Sequence, residues 1–160
     1  MRNSKRHHDL NYGVALYQEK IRWPIWLWAF ILFMAATLDL AIWAALSLKI
    51  TIISAIFLLA LIIYSAIAST LWITVTKGWL IVGPAAIERA YIHNFRALIG
   101  SELRSARGIN SDPAAYLEIR FWSKDGLRID IRDPKDKTPY WLISTNRASK
   151  LIKVLDLADH

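Results

Sequence analysis

The sequence contains no cysteine and only four histidines in 160 residues. Without cysteine, the chain forms no disulfide and carries out no thiolate chemistry. His93 and His160 are isolated, and His7-His8 lies near the N-terminus, so the spacing predicts no metal site with two or three histidine ligands. No glycine-rich phosphate loop follows a strand, and no pattern indicates a catalytic Ser-His-acid set. We therefore predict that the protein is not an enzyme and holds no cofactor.

Charged residues are nearly absent from residues 23–73, where Asp39 and Lys49 are the only two. As helices, residues 23–46 and residues 50–73 would each be about 36 Å long, which exceeds the hydrocarbon thickness of about 30 Å. A signal peptide is excluded because its apolar part is shorter and because a second apolar run follows at once. The sequence therefore predicts a transmembrane hairpin of two helices.

Positive charge lies on both sides of the predicted hairpin and is almost missing from its turn. The tail, residues 1–22, has five Lys and Arg against two Asp and Glu, whereas residues 77–160 have 14 against 10. Lys49 is the only charge in the turn. Because cytoplasmic flanks of membrane spans are enriched in Lys and Arg, we predict a multi-pass protein of the cell membrane with both termini in the cytoplasm. The hairpin, 23–73, would then separate a basic tail from a cytoplasmic domain, 74–160.

The basic residues of the tail have two interpretations. Arg2, Lys5 and Arg6 form a short arm that can press against anionic lipid headgroups, at about 1 kcal/mol per charge near the surface. Alternatively, the arm only sets the orientation of the hairpin. We favour orientation, because five basic residues spread over 22 are sparser than a dedicated lipid-binding cluster. Apolar side chains between residues 12 and 17 predict a short interfacial helix ahead of the first span.

Asp39 is the one acidic residue within the predicted spans. An intramembrane carboxylate is costly and usually faces protein or water, so one hypothesis is a proton or cation relay. Folding the hairpin about its turn places Asp39 opposite Leu58, which offers no second polar group. We therefore favour a pairing or packing role for Asp39. Small residues four apart in both spans permit close helix approach, either within the hairpin or in a homo-oligomer.

Alternation of apolar and polar residues replaces the long apolar runs beyond residue 73, which is typical of strands. Residues 73–76 and 79–82 predict a hairpin closed by Lys77-Gly78. The sequence predicts further strands over 87–92, 95–99, 116–122, 127–132 and 140–144, and a loop or short helix over 101–110.

The loop Lys124-Asp125-Gly126 predicts a second hairpin between residues 116–122 and 127–132. In the register that places opposite charges together, Phe121 faces Ile129 and Arg120 faces Asp130. Glu118 then faces Arg132. This register puts apolar residues on one face of the hairpin and polar residues on the other.

Residues 140–144 are apolar on both faces, which predicts a central or covered strand that buries Tyr140 and Trp141. An amphipathic helix follows, capped by Thr145 or Asn146. Its apolar face falls at positions i, i+3, i+4 and i+7 and consists of Ala148, Leu151, Ile152 and Leu155. A membrane α-helical hairpin plus a small β-rich cytoplasmic domain is the predicted fold. Strands closed by one C-terminal helix resemble a pleckstrin-homology-like (PH-like) barrel or sandwich.

Short motifs in two parts of the chain resemble those of a protein family. Tyr17-Gln18-Glu19 precedes the first span, and Asp133-Pro134 is followed by Thr138-Pro139-Tyr140-Trp141-Leu142-Ile143-Ser144-Thr145. In these residues the chain resembles an uncharacterised family of small two-span membrane proteins from actinobacteria, known only as a domain of unknown function. The family pattern has Pro in place of Lys137 and Arg in place of Asn146. The resemblance implies the architecture and the membrane location, and it implies no activity.

Two functional hypotheses remain. In the first, which we favour, the hairpin anchors a cytoplasmic module that binds a protein or an anionic lipid headgroup at the membrane. Arg104 and Arg107 can hold an anion there, although solubility alone explains basic residues in a loop and is the interpretation we favour. In the second, the hairpin forms a small oligomeric transport or channel subunit that uses Asp39, and the domain is a regulatory cap. No basic stripe interleaved with exposed aromatic residues predicts nucleic-acid binding.

Overall fold

The computed structural model describes residues 13–108, 111–134 and 136–157. The chain forms two compact units. The helical hairpin comprises residues 22–70, and the β domain comprises the described residues up to Ile21 together with those from Leu71 onward. In chain order the elements are β1 Ala15–Ile21, α1 Ile25–Ala45, α2 Leu48–Ala68, β2 Leu71–Thr76, β3 Trp79–Val82, β4 Ala85–Glu88, a 3-10 turn Arg89–Tyr91, β5 Ile92–Ile99, α3 Ser101–Ala106, β6 Tyr116–Glu118, β7 Asp125–Ile131, β8 Tyr140–Ser144 and α4 Ala148–Leu157.

The strand β1 corrects the prediction of an interfacial helix between residues 12 and 17. It pairs antiparallel with β2, and Ile21 lies opposite Leu71. Tyr17, Glu19 and Ile21 are buried while the residues between them are exposed, which is the period of a strand. Because β1 belongs to the β domain, the helical hairpin is inserted between two paired strands.

Two helices of 21 residues form the helical hairpin, and each is long and apolar enough to span a membrane. One residue is buried in each helix, Leu27 in α1 and Ile62 in α2. The second helix ends five residues before the predicted limit of 73, because Leu71 and the β-branched residues after it belong to β2. At the open end of the hairpin, Trp23 Nε1 donates a hydrogen bond of 2.6 Å to Ser69 Oγ.

The first sheet of the β domain is an antiparallel meander with the order β1-β2-β3-β4. The predicted hairpin around Lys77-Gly78 is confirmed, with Ile73 opposite Val82 and Val75 opposite Leu80. All four of these side chains are fully buried. The predicted strand 87–92 is divided, because β4 ends at Glu88 and a 3-10 turn leads into β5.

The second sheet has the order β5-β7-β8-β6, and it contradicts the predicted hairpin between 116–122 and 127–132. Strand β6 ends at Glu118 and pairs parallel with β8, while β7 pairs antiparallel with β5 and β8. Ile129 therefore lies opposite Phe95 and Trp141 rather than Phe121. Strand β8 lies between β7 and β6, and all of its residues are buried. A strand apolar on both faces gains most from two neighbours, so it displaces the local hairpin.

Gly126 is needed for packing rather than for a turn with positive φ. It lies within β7, where a Cβ atom would be 2.6 Å from Leu103 Cδ1 and 2.9 Å from the Ile143 carbonyl oxygen. Only glycine admits that approach. Leu103 is consequently buried over the sheet, in a small second core with Leu98 and Leu142. This contact holds the short helix α3 in place.

The C-terminal helix α4 closes the main core, as its apolar spacing predicts. Leu151 and Leu155 are fully buried against side chains of both sheets, and Ile152 is partly buried. The buried guanidinium of Arg89 donates a hydrogen bond to the main-chain carbonyl of Leu155. A cation at the C-terminal end of a helix satisfies carbonyls that have no partner within the helix.

Candidate functional site

Arg104 and Arg107 line a cavity of about 450 Å³ at the end of α3. Leu103 fixes this helix to the sheet, and Arg107 N–H donates to the Leu103 carbonyl at the end of the helix. The strand ends of β5 and β7 and the loop before β7 complete the wall. The lining residues are Ile99, Gly100, Leu103, Arg104, Arg107, Phe121, Ser123, Lys124 and Asp125. We call this space the arginine cavity.

The arginine cavity is positively charged, since three cationic side chains and one carboxylate line it. Three other arginines of the β domain have an acidic partner. The pairs are Arg96 with Glu102 at 3.1 Å, Arg120 with Glu118 at 2.8 Å and Arg128 with Asp130 at 2.9 Å. Within residues 13–108, 111–134 and 136–157, no ion pair involves Arg104 or Arg107. Their charge is therefore available to an anion.

An apolar surface adjoins these charges. Ile99 is 65% exposed and Phe121 is 64% exposed. The Phe121 ring contacts the Trp122 ring edge-on, with 4.8 Å between ring centroids. The prediction that Phe121 is buried opposite Ile129 is wrong, and its place in the cavity wall was not visible from sequence. The cavity can therefore accept a ligand with both an anionic and an apolar part.

Asp39 has a polar neighbour in the helical hairpin. Ser54 Oγ donates a hydrogen bond to Asp39 Oδ1. The predicted position opposite Leu58 is wrong, because α1 ends at Ala45 and α2 begins at Leu48. This tighter turn shifts the partner by one helical turn, from Leu58 to Ser54. A carboxylate that accepts a hydrogen bond from the neighbouring helix can serve helix packing.

The tail candidates Arg2, Lys5 and Arg6 lie outside the described residues. Both interpretations of the tail, headgroup binding and orientation of the hairpin, therefore stay predictions.

Metal ligation has no candidate in the described part of the chain, where no group of three or more His, Asp or Glu side chains is arranged to hold an ion.

Sequence reasoning did not identify the buried carboxylate of Glu19 as a centre of contacts. Its Oε2 atom accepts hydrogen bonds from the Tyr17 hydroxyl at 2.9 Å and from Thr145 Oγ1 at 2.7 Å. Its Oε1 atom accepts a hydrogen bond of 2.8 Å from Asn146 N–H. Three donors thus satisfy a side chain that is only 7% exposed. The only signal in the sequence was the family resemblance, whose motifs contain Tyr17, Glu19 and Thr145.

Two tyrosines of the β domain are held in their protonated form. Burial raises the pKa of the Tyr17 hydroxyl, the hydrogen bond to Glu19 and its charge add to the rise, and Arg147 opposes it. Burial likewise raises the pKa of Tyr116, and Glu118 adds to the effect. Both hydroxyls donate hydrogen bonds to carboxylates, and these bonds persist to higher pH than the ordinary pKa of tyrosine would allow.

The protein family is established by comparison with known sequences. Residues 16–155 match a family described as protein of unknown function (DUF3093). The chain belongs to this family. The match extends from β1 to α4, so the DUF3093 architecture includes the helical hairpin and both sheets. The predicted membership of an uncharacterised family is thereby confirmed. No curated protein and no solved structure matches the chain.

Proposed function

We propose that this DUF3093 protein is a membrane-anchored binding module, in which the helical hairpin spans the cell membrane and the β domain binds an anionic ligand in the cytoplasm. The observation that carries the proposal is the arginine cavity, where Arg104 and Arg107 have no described acidic partner and adjoin the exposed Phe121. A concave surface lined by charge of one sign raises the local concentration of ions of the opposite sign, and ligand sites combine apolar walls with a few polar or charged groups. The binding of an anion explains that grouping better than solubility does.

The exposed surface of the helical hairpin supports the membrane anchor. Ile25 is 89% exposed and Ile53 is 67% exposed, and similar side chains surround both helices. Monomeric soluble proteins rarely expose continuous apolar surface of this extent, whereas a bilayer covers it. The excess of Lys and Arg on both flanks supports a cytoplasmic β domain.

Two finer predictions belong to the same proposal. A PH-like sandwich is supported by two four-stranded sheets and the closing helix α4. The parallel pairing of β6 with β8 departs from a simple antiparallel meander. An actinobacterial origin remains a prediction from the family resemblance.

The transport hypothesis has weaker support. A relay through the membrane needs polar groups at successive depths, and the contact between Asp39 and Ser54 places two polar groups at one depth. We therefore retain the packing role for Asp39 and assign the binding function to the β domain.

The binding proposal is tested with hexyl phosphate, which carries an anionic head and a short apolar tail. The full chain in phosphatidylcholine nanodiscs is titrated by calorimetry. R104Q/R107Q is expected to bind at least about tenfold more weakly than wild type, because each charged hydrogen bond contributes about 1.5–3 kcal/mol. R96Q/K153Q removes the same charge outside the cavity and should bind as wild type does. Absence of binding to wild type, or equal binding by both double variants, would contradict the proposal.

A further inference from the structure

Away from the start of the described chain, the two most exposed large apolar side chains of the β domain lie at one site. Among its large apolar residues, only Val14, beside the start of the described chain, is more exposed than Ile99 and Phe121. Both residues line the arginine cavity. Ile99 ends β5, and Phe121 lies in the loop between β6 and β7. Two residues of core type are thus accessible in the wall of one cavity, and exposed apolar surface of this kind is common at interaction sites.

Cationic side chains surround this apolar pair. Arg104, Arg107 and Lys124 line the cavity and are exposed, while Asp125 supplies the one opposing carboxylate. The neighbouring depression on the far side of α3 has a different character, because there Arg96 and Arg128 are paired with Glu102 and Asp130. In contrast, no ion pair among the described residues involves the cations of the arginine cavity, and these cations lie next to apolar side chains.

An anionic membrane surface matches this combination. Its phosphate groups complement Arg104, Arg107 and Lys124, and the boundary between headgroups and acyl chains accommodates side chains such as Phe121 and Ile99. A free phosphate ion would satisfy the charges and leave the apolar pair exposed. An acidic soluble peptide would need its own matching apolar residue.

The connectivity of the chain makes the membrane the most available ligand. Residues 22–24 connect β1 to α1, and residues 69–70 connect α2 to β2. Short connections keep the β domain close to the lipid that surrounds the hairpin, so binding to headgroups becomes effectively intramolecular. Because binding is effectively intramolecular, each contact with a headgroup can be weak and the β domain still binds the membrane.

We infer that the arginine cavity is a second membrane contact, which binds headgroups of anionic phospholipid while Ile99 and Phe121 enter the interface. This inference rests on the proposed function, and it identifies anionic phospholipid as the source of the anion that the cavity binds. It adds a second attachment of the β domain to the bilayer, beyond the anchoring supplied by the hairpin. This attachment would depend on the anionic lipid content of the membrane and on ionic strength.

The test uses the full chain with an environment-sensitive fluorophore on a single cysteine, since the sequence has no other. Ser101→Cys places the fluorophore at the rim of the cavity, and Ser149→Cys places it on the exposed side of α4 as a control. Nanodiscs of phosphatidylcholine alone are compared with nanodiscs that also contain phosphatidylglycerol. We expect a blue shift for the label at residue 101 in phosphatidylglycerol, and none for the label at residue 149.

Variants distinguish specific binding from general attraction of a basic chain. R104Q/R107Q and K124Q should each reduce the blue shift, whereas R96Q/K153Q should retain it. Phe121→Ser should also reduce it if the apolar pair enters the interface. An unchanged melting temperature in each variant shows that folding is intact. Equal shifts in R104Q/R107Q and R96Q/K153Q would overturn the inference, and so would an unchanged shift in Phe121→Ser.

The source of the anion is decided by a second arm. If hexyl phosphate binds in phosphatidylcholine nanodiscs but phosphatidylglycerol causes no shift, the inference is overturned while the proposed function stands. If neither probe gives a response, both are overturned. If phosphatidylglycerol gives the shift and the arginine variants lose it, the membrane contact is supported.

Discussion

Thr145 Oγ1 donates a hydrogen bond of 2.7 Å to Glu19 Oε2, although the two residues are 126 positions apart in the sequence. Glu19 lies on β1, the strand that leads into the helical hairpin, and Thr145 lies between β8 and α4. One buried carboxylate therefore connects the entry to the hairpin with the start of the closing helix. This link is the first target for mutation.

Glu19→Gln should lower the stability of the β domain by about 1–3 kcal/mol, because the amide NH2 would face donors that need an acceptor. Thermal unfolding of the full chain in detergent measures the effect. Gln18→Ala changes the exposed neighbour on the same strand and should melt as wild type does. A Glu19→Gln protein with an unchanged melting temperature would show that the link does not stabilise the fold.

Stability should fall at alkaline pH through Tyr17. Its folded-state pKa is raised above the ordinary value near 10, so the unfolded state loses the proton first. The stabilising contribution of Tyr17 to the folded state is fully present below about pH 10 and is lost as the pH rises further. Melting temperatures across this range should decline less steeply in Tyr17→Phe than in wild type. The pKa of Tyr116 is also raised, so a smaller decline of the melting temperature is expected in Tyr17→Phe. Identical slopes would refute the assignment to Tyr17.

Gly126→Ala should destabilise the β domain by about 1–3 kcal/mol, because its new methyl group would overlap Leu103 and the Ile143 carbonyl. Gly78→Ala is the matched control. A Cβ atom there meets nothing within 4 Å, and its φ is not positive. The control should leave stability unchanged or raise it by about 0.4–1 kcal/mol. Urea unfolding of both variants decides the matter, and equal midpoints would contradict the packing role of Gly126.

The contact between Asp39 and Ser54 should appear as a coupling energy in a double-mutant cycle. Interhelical hydrogen bonds in membranes average about 0.6 kcal/mol, so Asp39→Ala, Ser54→Ala and the double variant should deviate from additivity by about that amount. Asp39→Asn should keep most of the coupling, since its amide oxygen can still accept from Ser54. Unfolding in mixed detergent micelles gives the energies. Strict additivity would mean that the pair makes no contact in the membrane.

Local patterns were sufficient for much of the fold. The low charge of residues 23–73 predicts the two long helices, and the apolar faces of 140–144 predict a central β8. Leu151 and Leu155 fall on one face of a helix and are buried there. Each of these features depends on residues close together in the sequence, where the spacing of apolar residues identifies the element as a helix or a strand.

Features that depend on distant partners were missed. Phe121 and Ile129 have ideal spacing for a local hairpin, yet β8 competes for β7 and leaves Phe121 exposed in the cavity wall. Arg104 and Arg107 were visible as basic residues, but the absence of an acidic partner for them among the described residues depends on how other chain segments fold. The first helix ends one residue earlier and the second begins two residues earlier than predicted, which is enough to move the partner of Asp39 to Ser54.

The most direct test of the central claim, a membrane-spanning hairpin with a cytoplasmic β domain, is cysteine labelling in intact cells. Ser47 lies in the turn between α1 and α2, and Ser149 is exposed on α4. With no native cysteine, Ser47→Cys should react with a membrane-impermeant maleimide in intact cells, whereas Ser149→Cys should react only after permeabilisation. Labelling of Ser149→Cys in intact cells, with Ser47→Cys protected, would contradict the account.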